Sequence, residues 1–459
     1  MKRFVSLLLA AVLALAVVPV LAQDETVSGK VVLADFSWLC DEDRELAAAF
    51  NELYPDIEIE VVSIPDDVER NDWLASQAAI GQMPDLVRSP WHEIPVDLSQ
   101  GWLYPLNDFL EADDEFFQYV AKAQYETFYY NDYIYCLPYT LGFTCMVLNL
   151  EMLESMNEDV PAYDEWTVDE FTRLVKKATT ATTSGIDNVW NLDYFLPAQL
   201  DANLVDGCLN EKTGRVELTG AWIEAVNLVK ELKSVPGLIC GELRNQALID
   251  AGQMDDYQKK FGKDADAVLD GNNLIIWNGS TWSWSWLKDL SYEWDFYTIP
   301  FSPEVGFRTQ AHNDVMMMTA AAQDPQAAFL LLKYLTYGKD GCLKRLERAV
   351  ANNDLFIPTT QHPEVVAAFE AVEYVPAGVM YMYKHMENSI HGDHYRYVPD
   401  FNTATGSMQG DERQAIYDGQ IEAAAVAAEM EEKINAWLAE SEKTFEENLA
   451  AVQATYPKK

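Results

Sequence analysis

Val31-Val32-Leu33-Ala34 is an unbroken apolar run, and a run without alternation predicts a strand covered on both faces. Leu46, Phe50 and Leu53 then recur at helical spacing, and Tyr54-Pro55-Asp56 ends that helix. Ile57, Ile59 and Val61 alternate with Glu58 and Glu60, the pattern of a half-buried strand. Strand, helix and strand in this order form the building unit of a parallel α/β sheet. Thr167-Val168-Asp169-Glu170 is a capping box, in which the Thr oxygen and the Glu side chain take up amides at a helix start. Phe171, Leu174, Val175 and Ala178 supply the apolar face behind it. Asp324-Pro325 predicts another helix start, a cap followed by a first-turn proline, with Phe329, Leu332 and Leu335 on its buried face. Near the C-terminus Ala423, Ala427, Met430, Ile434 and Trp437 step by four and three, and Phe445, Leu449 and Val452 extend the pattern into a last helix.

The first residues have a different layout. Lys2 and Arg3 precede an almost unbroken apolar run from Phe4 to Val18, Pro19 breaks it, and Val20-Leu21-Ala22 ends in a small residue. This is the three-part arrangement of a secretory signal peptide, 1–22, with cleavage expected after Ala22. A retained membrane anchor would need about 20 apolar residues, and the run falls a little short. A lipid anchor would need a Cys at the cleavage point, whereas the first is Cys40. The expected location is therefore the periplasm or the cell exterior, without a lipid anchor.

The chain has 459 residues, about three times the usual ~150 per domain, so two domains are expected. No low-complexity linker separates them, which suggests that the chain crosses between domains more than once in ordered strands. Acidic residues number 74 against 32 Lys plus Arg. A field of that sign repels phosphate backbones and anionic headgroups, and it excludes a nucleic-acid partner.

Export would place Cys40, Cys136, Cys145, Cys208, Cys240 and Cys342 where disulfides persist. Cys136 and Cys145 flank an expected strand–turn–strand and form one candidate pair; Cys208–Cys240 is the second. Buried free thiols are the alternative for each. The spacings fit no zinc pattern. His385, His391 and His394, with Asp393 between the last two, form a histidine cluster. Surface histidines explain it better than a metal site, and no cofactor is expected.

Nucleophile-elbow, zinc-protease and phosphate-loop motifs are absent, and the many carboxylates single out no acid–base pair. The aromatic content says more. Trp277, Trp282, Trp284 and Trp286 fall within ten residues, in a strand running into a loop and then a helix start. So many indoles in so short a span are hard to hide, although core packing remains the alternative for any one of them. A flat indole suits the apolar face of a pyranose ring, with neighbouring polar groups taking its hydroxyls.

Taken in order, several motifs resemble those of the extracellular solute-binding proteins of ABC importers, family 1, to which the maltose-binding protein belongs. They are Lys30 to Leu33 with Leu46 to Ile57; Gly81-Gln82-Met83-Pro84-Asp85-Leu86-Val87; and Gly101-Trp102-Leu103-Tyr104-Pro105-Leu106. Tyr135-Cys136-Leu137-Pro138-Tyr139 through Val147-Leu148-Asn149 resembles the first crossing between lobes, though many members have Tyr-Asn where Leu148-Asn149 stands. Gly271 and Asn278-Gly279-Ser280-Thr281-Trp282 are similar to the Gly-Ser-Trp loop of the second lobe. Tyr297-Thr298-Ile299-Pro300 resembles the return crossing, Ala328 to Leu335 the helix beyond it, and Asp418 to Leu438 the terminal helix region. About twenty residues past Leu438 depart from the pattern.

The resemblance implies an α/β, two-lobe periplasmic-binding-protein fold of class II type, with a hinge and an interlobe cleft. Lobe one is expected at 24–141 and 301–337, and lobe two at 142–300 and 338–459, the terminal helices packing on a lobe and the charged end fraying. It further implies a monomeric, non-enzymatic carrier that binds a carbohydrate and hands it to ABC permease subunits. By the family's pattern, ligand contacts fall at Ser37, Trp38, Arg88, Trp91, Tyr139, Asp193, Tyr194, Trp282, Trp284 and Asn313. The alternatives are a polyamine- or peptide-binding relative with acidic rather than aromatic walls, a secreted glycosidase, and a module that feeds a chemoreceptor.

Overall fold

The structure, a computed structural model, describes residues 27–239, 248–249, 252–262, 270–277, 280–408 and 410–454. The expected signal peptide, Cys240 and the Asn278-Gly279 part of the second-lobe loop lie outside the described residues.

Eleven strands make up the two main sheets: β1 (Gly29–Phe36), β2 (Ile57–Ile64), β3 (Leu86–Ser89), β4 (Cys136–Pro138), β5 (Gly142–Asn149), β6 (Ser184–Ile186), β7 (Asn273–Ile276), β8 (Trp294–Thr298), β9 (Thr309–His312), β10 (Val315–Met318) and β11 (Ser389–His391). The first sheet runs β2-β1-β3-β10-β4. β1 lies parallel to β2 in the register Val31↔Ile59, as the apolar run and the alternating run predict, and the Cys40–Leu53 helix joins them. Val31, Leu33 and Ala34 have no exposed surface, since helices cover both sides of this strand.

The second sheet runs β11-β9-β5-β7-β6, with β8 also paired to β5. β5 is its organiser: Thr144 pairs with Gln310 of β9, and Val147 pairs with Ile276 of β7 and Phe296 of β8. Behind it the Val168–Ala178 helix buries Phe171, Leu174, Val175 and Ala178. Half of its capping box forms. The Thr167 hydroxyl accepts from the Glu170 amide at 3.2 Å, but the Glu170 carboxylate takes Arg173 instead. The Pro325–Leu335 helix starts where expected, yet Asp324 does not cap it, because its carboxylate accepts from the Lys30 amide.

The chain passes between the sheets at Tyr139–Leu141 and again at Asn313–Asp314, and the two passages are bonded to each other. The Tyr139 amide donates to the Asp314 carbonyl at 2.7 Å, and the Asp314 amide donates to the Thr140 hydroxyl at 3.0 Å. The expected return after Pro300 comes too early, because β9 still pairs with β5 in the second sheet. The stretch after 338 also differs from the expectation. The Lys339–Asn352 helix returns to the first lobe, where Arg348 bonds Glu42 and Glu45 of the Cys40–Leu53 helix.

The predicted pair of terminal helices is one helix, Ala423–Gln453. Leu438, four residues after Ile434, takes the buried position that the sequence suggested for Trp437, whose indole is exposed. Its two ends pack on different lobes. Phe445 and Leu449 join the core around β1 and β3, while Ala423 to Leu438 join a core with Val216 and Trp222.

Cys136 and Cys145 are both buried and are not bridged to each other. The chain between them is a passage from one sheet to the other rather than a local hairpin, which takes Cys136 into β4 and Cys145 into β5. Cys208 is a free, buried thiol, and its suggested partner is outside the described residues.

Candidate functional site

At the hinge the strand ends bring charges together out of water. Arg88 of β3 pairs with Asp314 of the return passage at 2.9 Å and with Asp35 of β1 at 3.4 Å. Its guanidinium lies over the Tyr139 ring, 4.0 Å from the centroid, and that of Arg345 lies over the same ring at 4.1 Å. Arg345 also donates to the Tyr139 carbonyl at 2.5 Å. Behind them Asp43 faces the Tyr139 hydroxyl at 3.5 Å. Burial, and then the neighbouring Asp35 carboxylate, push the Asp43 carboxyl up to about 8. A buried charge is tolerated only when paired in this way.

Beside this lattice opens a cavity of about 450 Å³, lined by the two passages and by second-lobe residues including Thr144, Trp190, Trp282, His312 and Asp393. A second hollow of about 320 Å³ shares Thr140, Leu141 and Trp282 with it and reaches Arg88, Tyr139 and Arg345. His312 ties the cavity floor together. Its Nδ1 lies 2.9 Å from Asp393 and its Nε2 lies 2.5 Å from the Thr144 hydroxyl. Burial alone would lower the imidazole's pKa, but the Asp393 carboxylate outweighs it and the net shift is upward. The Asp393 carboxyl is held well below the usual range: burial opposes this, and His312 prevails. Asn313 is 1% exposed, and neither its amide oxygen nor its amide nitrogen has a hydrogen-bond partner among the described residues. A buried amide without partners is costly, so it marks a place where a polar guest would gain hydrogen bonds.

The structure sorts the residues singled out from the sequence. Trp282 is 57% exposed on the cavity wall, its ring edge-on to His312, and Asn313 lines the same space. Trp38 and Trp91 are 61% and 50% exposed at the ends of β1 and β3, nearly parallel at 6.3 Å and both packed on Phe36. Ser37 beside them donates to Asp66. Arg88 and Tyr139 are buried in the hinge lattice and edge the smaller hollow. Trp284 reaches that hollow but is mostly buried, its indole N–H donating to the Asn353 carbonyl at 3.0 Å. Asp193 and Tyr194 do not line this cavity. They lie on the short Leu192–Phe195 helix, whose flanking Trp190 and Phe195 line the cavity, while Asp193 turns back to Arg413 and Tyr194 packs on the core that holds Phe401. Only His385 leaves the histidine cluster, stacking on Tyr381; His391 and His394 stay together with ring centroids 6.1 Å apart, buried rather than on the surface as expected, His394 pairing with Glu211 and Asp393 with His312. Among the described residues no group of three or more potential ligands could hold a metal.

The family model for bacterial extracellular solute-binding proteins matches residues 41–336, well over half of the chain. The chain belongs to that family. This solute-binding protein has no match among the curated proteins. Among solved structures it is similar to the sugar-binding protein MalE from Xanthomonas citri (TM-score 0.67, 13% identity, 91% of this chain and 99% of that one covered). It is similar to a cyclo/maltodextrin-binding protein complexed with maltotetraose (TM-score 0.65, 15% identity, 91% and 99% covered). A third is an ABC substrate-binding protein from Listeria monocytogenes in complex with cycloalternan (TM-score 0.64, 16% identity, 90% and 100% covered). At these identities the likeness is one of fold, the two-lobe α/β arrangement that the strand pairing describes. No helix among the described residues is long and apolar enough to cross a membrane.

Among the cavity residues that the sequence did not mark as ligand contacts are Thr144, Trp190, His312 and Asp393. His312 precedes Asn313 in the return passage, so placing that passage correctly would have found it. Trp190 stands in Asn188-Val189-Trp190-Asn191, an indole among amides, a local signal as strong as that at Trp282. Asp393 carries no such signal, because it meets His312 across a long stretch of chain.

Proposed function

We propose that this protein carries a carbohydrate in the interlobe cleft and delivers it to an ABC permease by closing its lobes. The observation that carries the reading is one cavity with exposed indoles on its wall and an unpartnered amide at its hinge: Trp190, Trp282 and Asn313. Indole faces bury the apolar side of a sugar ring, and an amide offers both a donor and an acceptor to its hydroxyls. The sugars bound by the structural neighbours, maltotetraose and cycloalternan, support the same class. We take the first lobe as 27–138 with 315–337, and the second as 142–312 with the segments that follow 352. Closure then shifts the open–closed equilibrium only by the guest's differential affinity for the two forms. The carrier acts outside the cytoplasm as a monomer.

A polyamine would need free carboxylates, yet the two Asp residues of the cavity are already taken: Asp393 by His312 and Asp314 by Arg88. A glycosidase would need two carboxylates free to face the sugar, and the same two Asp residues are the ones already paired. The test is titration calorimetry with maltotetraose, cycloalternan and spermidine, repeated with Trp282→Ala. Heat from a sugar and none from spermidine is expected. Losing the indole should cost about 2–4 kcal/mol, as truncated hot spots do, which is around 30-fold or more at about 1.4 kcal/mol per tenfold. Binding of spermidine alone, or identical isotherms for the variant, would remove the reading.

A further inference from the structure

The terminal helix has a feature that sugar binding does not require. A helix of 31 residues is about 46 Å long at about 1.5 Å per residue, and this one is fastened at both ends to different lobes. At its start Ala423, Ala427, Met430, Ile434 and Leu438 are buried on the second lobe. There the Asn435 amide closes both hydrogen bonds of Val216, accepting from its N–H at 2.9 Å and donating to its carbonyl at 2.8 Å. The Glu431 carboxylate accepts from the Leu218 amide at 2.8 Å. At the far end Phe445 sits edge-on to Tyr130 at 5.7 Å, and Leu449 is buried in the first-lobe core. Gln453 donates to the Tyr135 hydroxyl at 2.9 Å and to the Tyr130 carbonyl at 3.3 Å. Val452 stands 3.6 Å from where a side chain at Gly101 would begin, so this end is closely seated on the loop there. Between the two anchors the helix bridges a groove of about 530 Å³, edged by Tyr129, Glu211, Glu442 and Glu446.

We propose that residues 439–453 form a strap that limits how far the lobes open. The proposal rests on the hinge reading of the two lobes, but its readout needs no solute. A helix resists bending because its backbone bonds act in series, and rotation of one lobe against the other must bend it or free one end. The first-lobe end is the weaker, held by two buried side chains and Gln453 against five buried side chains and the Asn435 and Glu431 bonds at the other. Opening beyond the strap's reach therefore requires local release of Phe445 and Leu449, a low-cost event compared with unfolding a lobe. The two passages at the hinge set the axis, and the strap sets the range.

The experiment is pulsed electron paramagnetic resonance on the full chain, with labels attached by cysteine-independent chemistry at exposed Ser76 on the first lobe and exposed Glu154 on the second. The double variant Phe445→Ala/Leu449→Ala should shift the distance distribution away from that of the parent and broaden it, with helix content unchanged by circular dichroism. A complementary variant, Asn131→Cys/Gln453→Cys, joins side chains that already meet at 3.3 Å. Oxidised, it should narrow the distribution, and reduction should restore the parent's. If the alanine variant does not fold, the cross-linked one still decides. A distribution that is the same in the parent, the released and the cross-linked chain would overturn the strap. Sugar titration is unaffected by that outcome, so failure of the strap and failure of the carbohydrate reading stay distinct.

Discussion

The two walls of the cleft are built on opposite plans. On the first lobe the groups are tied to one another: Trp38 stacks on Phe36 and on Trp91, although both indoles keep half or more of their surface open, and Arg88 is shared among Asp35, Asp314 and the Tyr139 ring. On the second lobe and the return passage the groups are held out singly. Trp282 stands edge-on to His312 with more than half its surface open, and Asn313 keeps two amide atoms without a partner among the described residues. One wall is a frame of ion pairs and packed rings; the other holds open valences. Affinity should therefore be lost chiefly on the second side, and stability on the first.

The largest effect should come from breaking the frame. Arg88→Ala leaves Asp35 buried without its cation, a change of the kind that costs about 3–5 kcal/mol. Chemical denaturation should show that loss, and Arg88→Lys should recover only part of it, because an ammonium cannot span both carboxylates and the ring as a guanidinium does. A stable Arg88→Ala chain would contradict the contrast drawn between the walls.

Next comes the comparison of indoles. Trp282→Ala should weaken sugar binding by about 2–4 kcal/mol, whereas Trp38→Ala should cost less, because Trp91 and Phe36 remain to form a platform. Equal losses in calorimetry would show that the stacked wall also contributes ring by ring.

A third test reads the frame through pH. The Asp43 carboxyl is raised from 3.8 to about 8, first by burial and then by Asp35. Between those values the folded chain keeps a proton that the unfolded chain has released. The contribution to stability is thus complete below the lower value, declines as pH rises, and is lost above the upper one. Asp43→Asn cannot ionise and should flatten this decline, gaining about 1–3 kcal/mol on the parent near pH 9 relative to pH 4. Melting temperatures across that range would check it, and parallel curves would show that Asp43 does not carry the slope.

These contrasts also mark what the chain discloses before it is folded. The β1–helix–β2 unit was legible because each element has its own period, and the order of motifs carried the two-lobe fold. Trp282 was legible as an indole too many for its span. The return passage was misplaced because Tyr297 to Pro300 and Thr309 to His312 are both short strand-forming stretches, and only pairing with β5 distinguishes a strand that stays from one that leaves. Asp193 and Tyr194 fall off the cavity wall for a related reason: on a short helix, neighbours one residue apart face different ways, so a motif aligned to a segment does not fix which of its residues face the cavity. The reach of the last helix to the first lobe could not be read, since Phe445 and Leu449 show that a face is buried but not against what.

Trp284 gives the smallest and cleanest test of the division between frame and valence. It lies two residues from Trp282, and the sequence marked it as a candidate only as the neighbour of that indole. In the structure its indole N–H is spent on the Asn353 carbonyl and its ring packs against Tyr374 at 5.8 Å, so it belongs to the frame despite its place in the loop. Trp284→Phe keeps an aromatic ring and removes that donor, leaving a carbonyl that the Lys288 ammonium also reaches at 3.1 Å. The stability loss should be about 0.5–1.5 kcal/mol, the net worth of one hydrogen bond. Sugar affinity should stay within about twofold of the parent, well under the 1.4 kcal/mol that separates tenfold steps. A variant that melts like the parent but binds tenfold more weakly would move Trp284 from the frame to the binding surface, and the line between the two walls would then run through the loop itself.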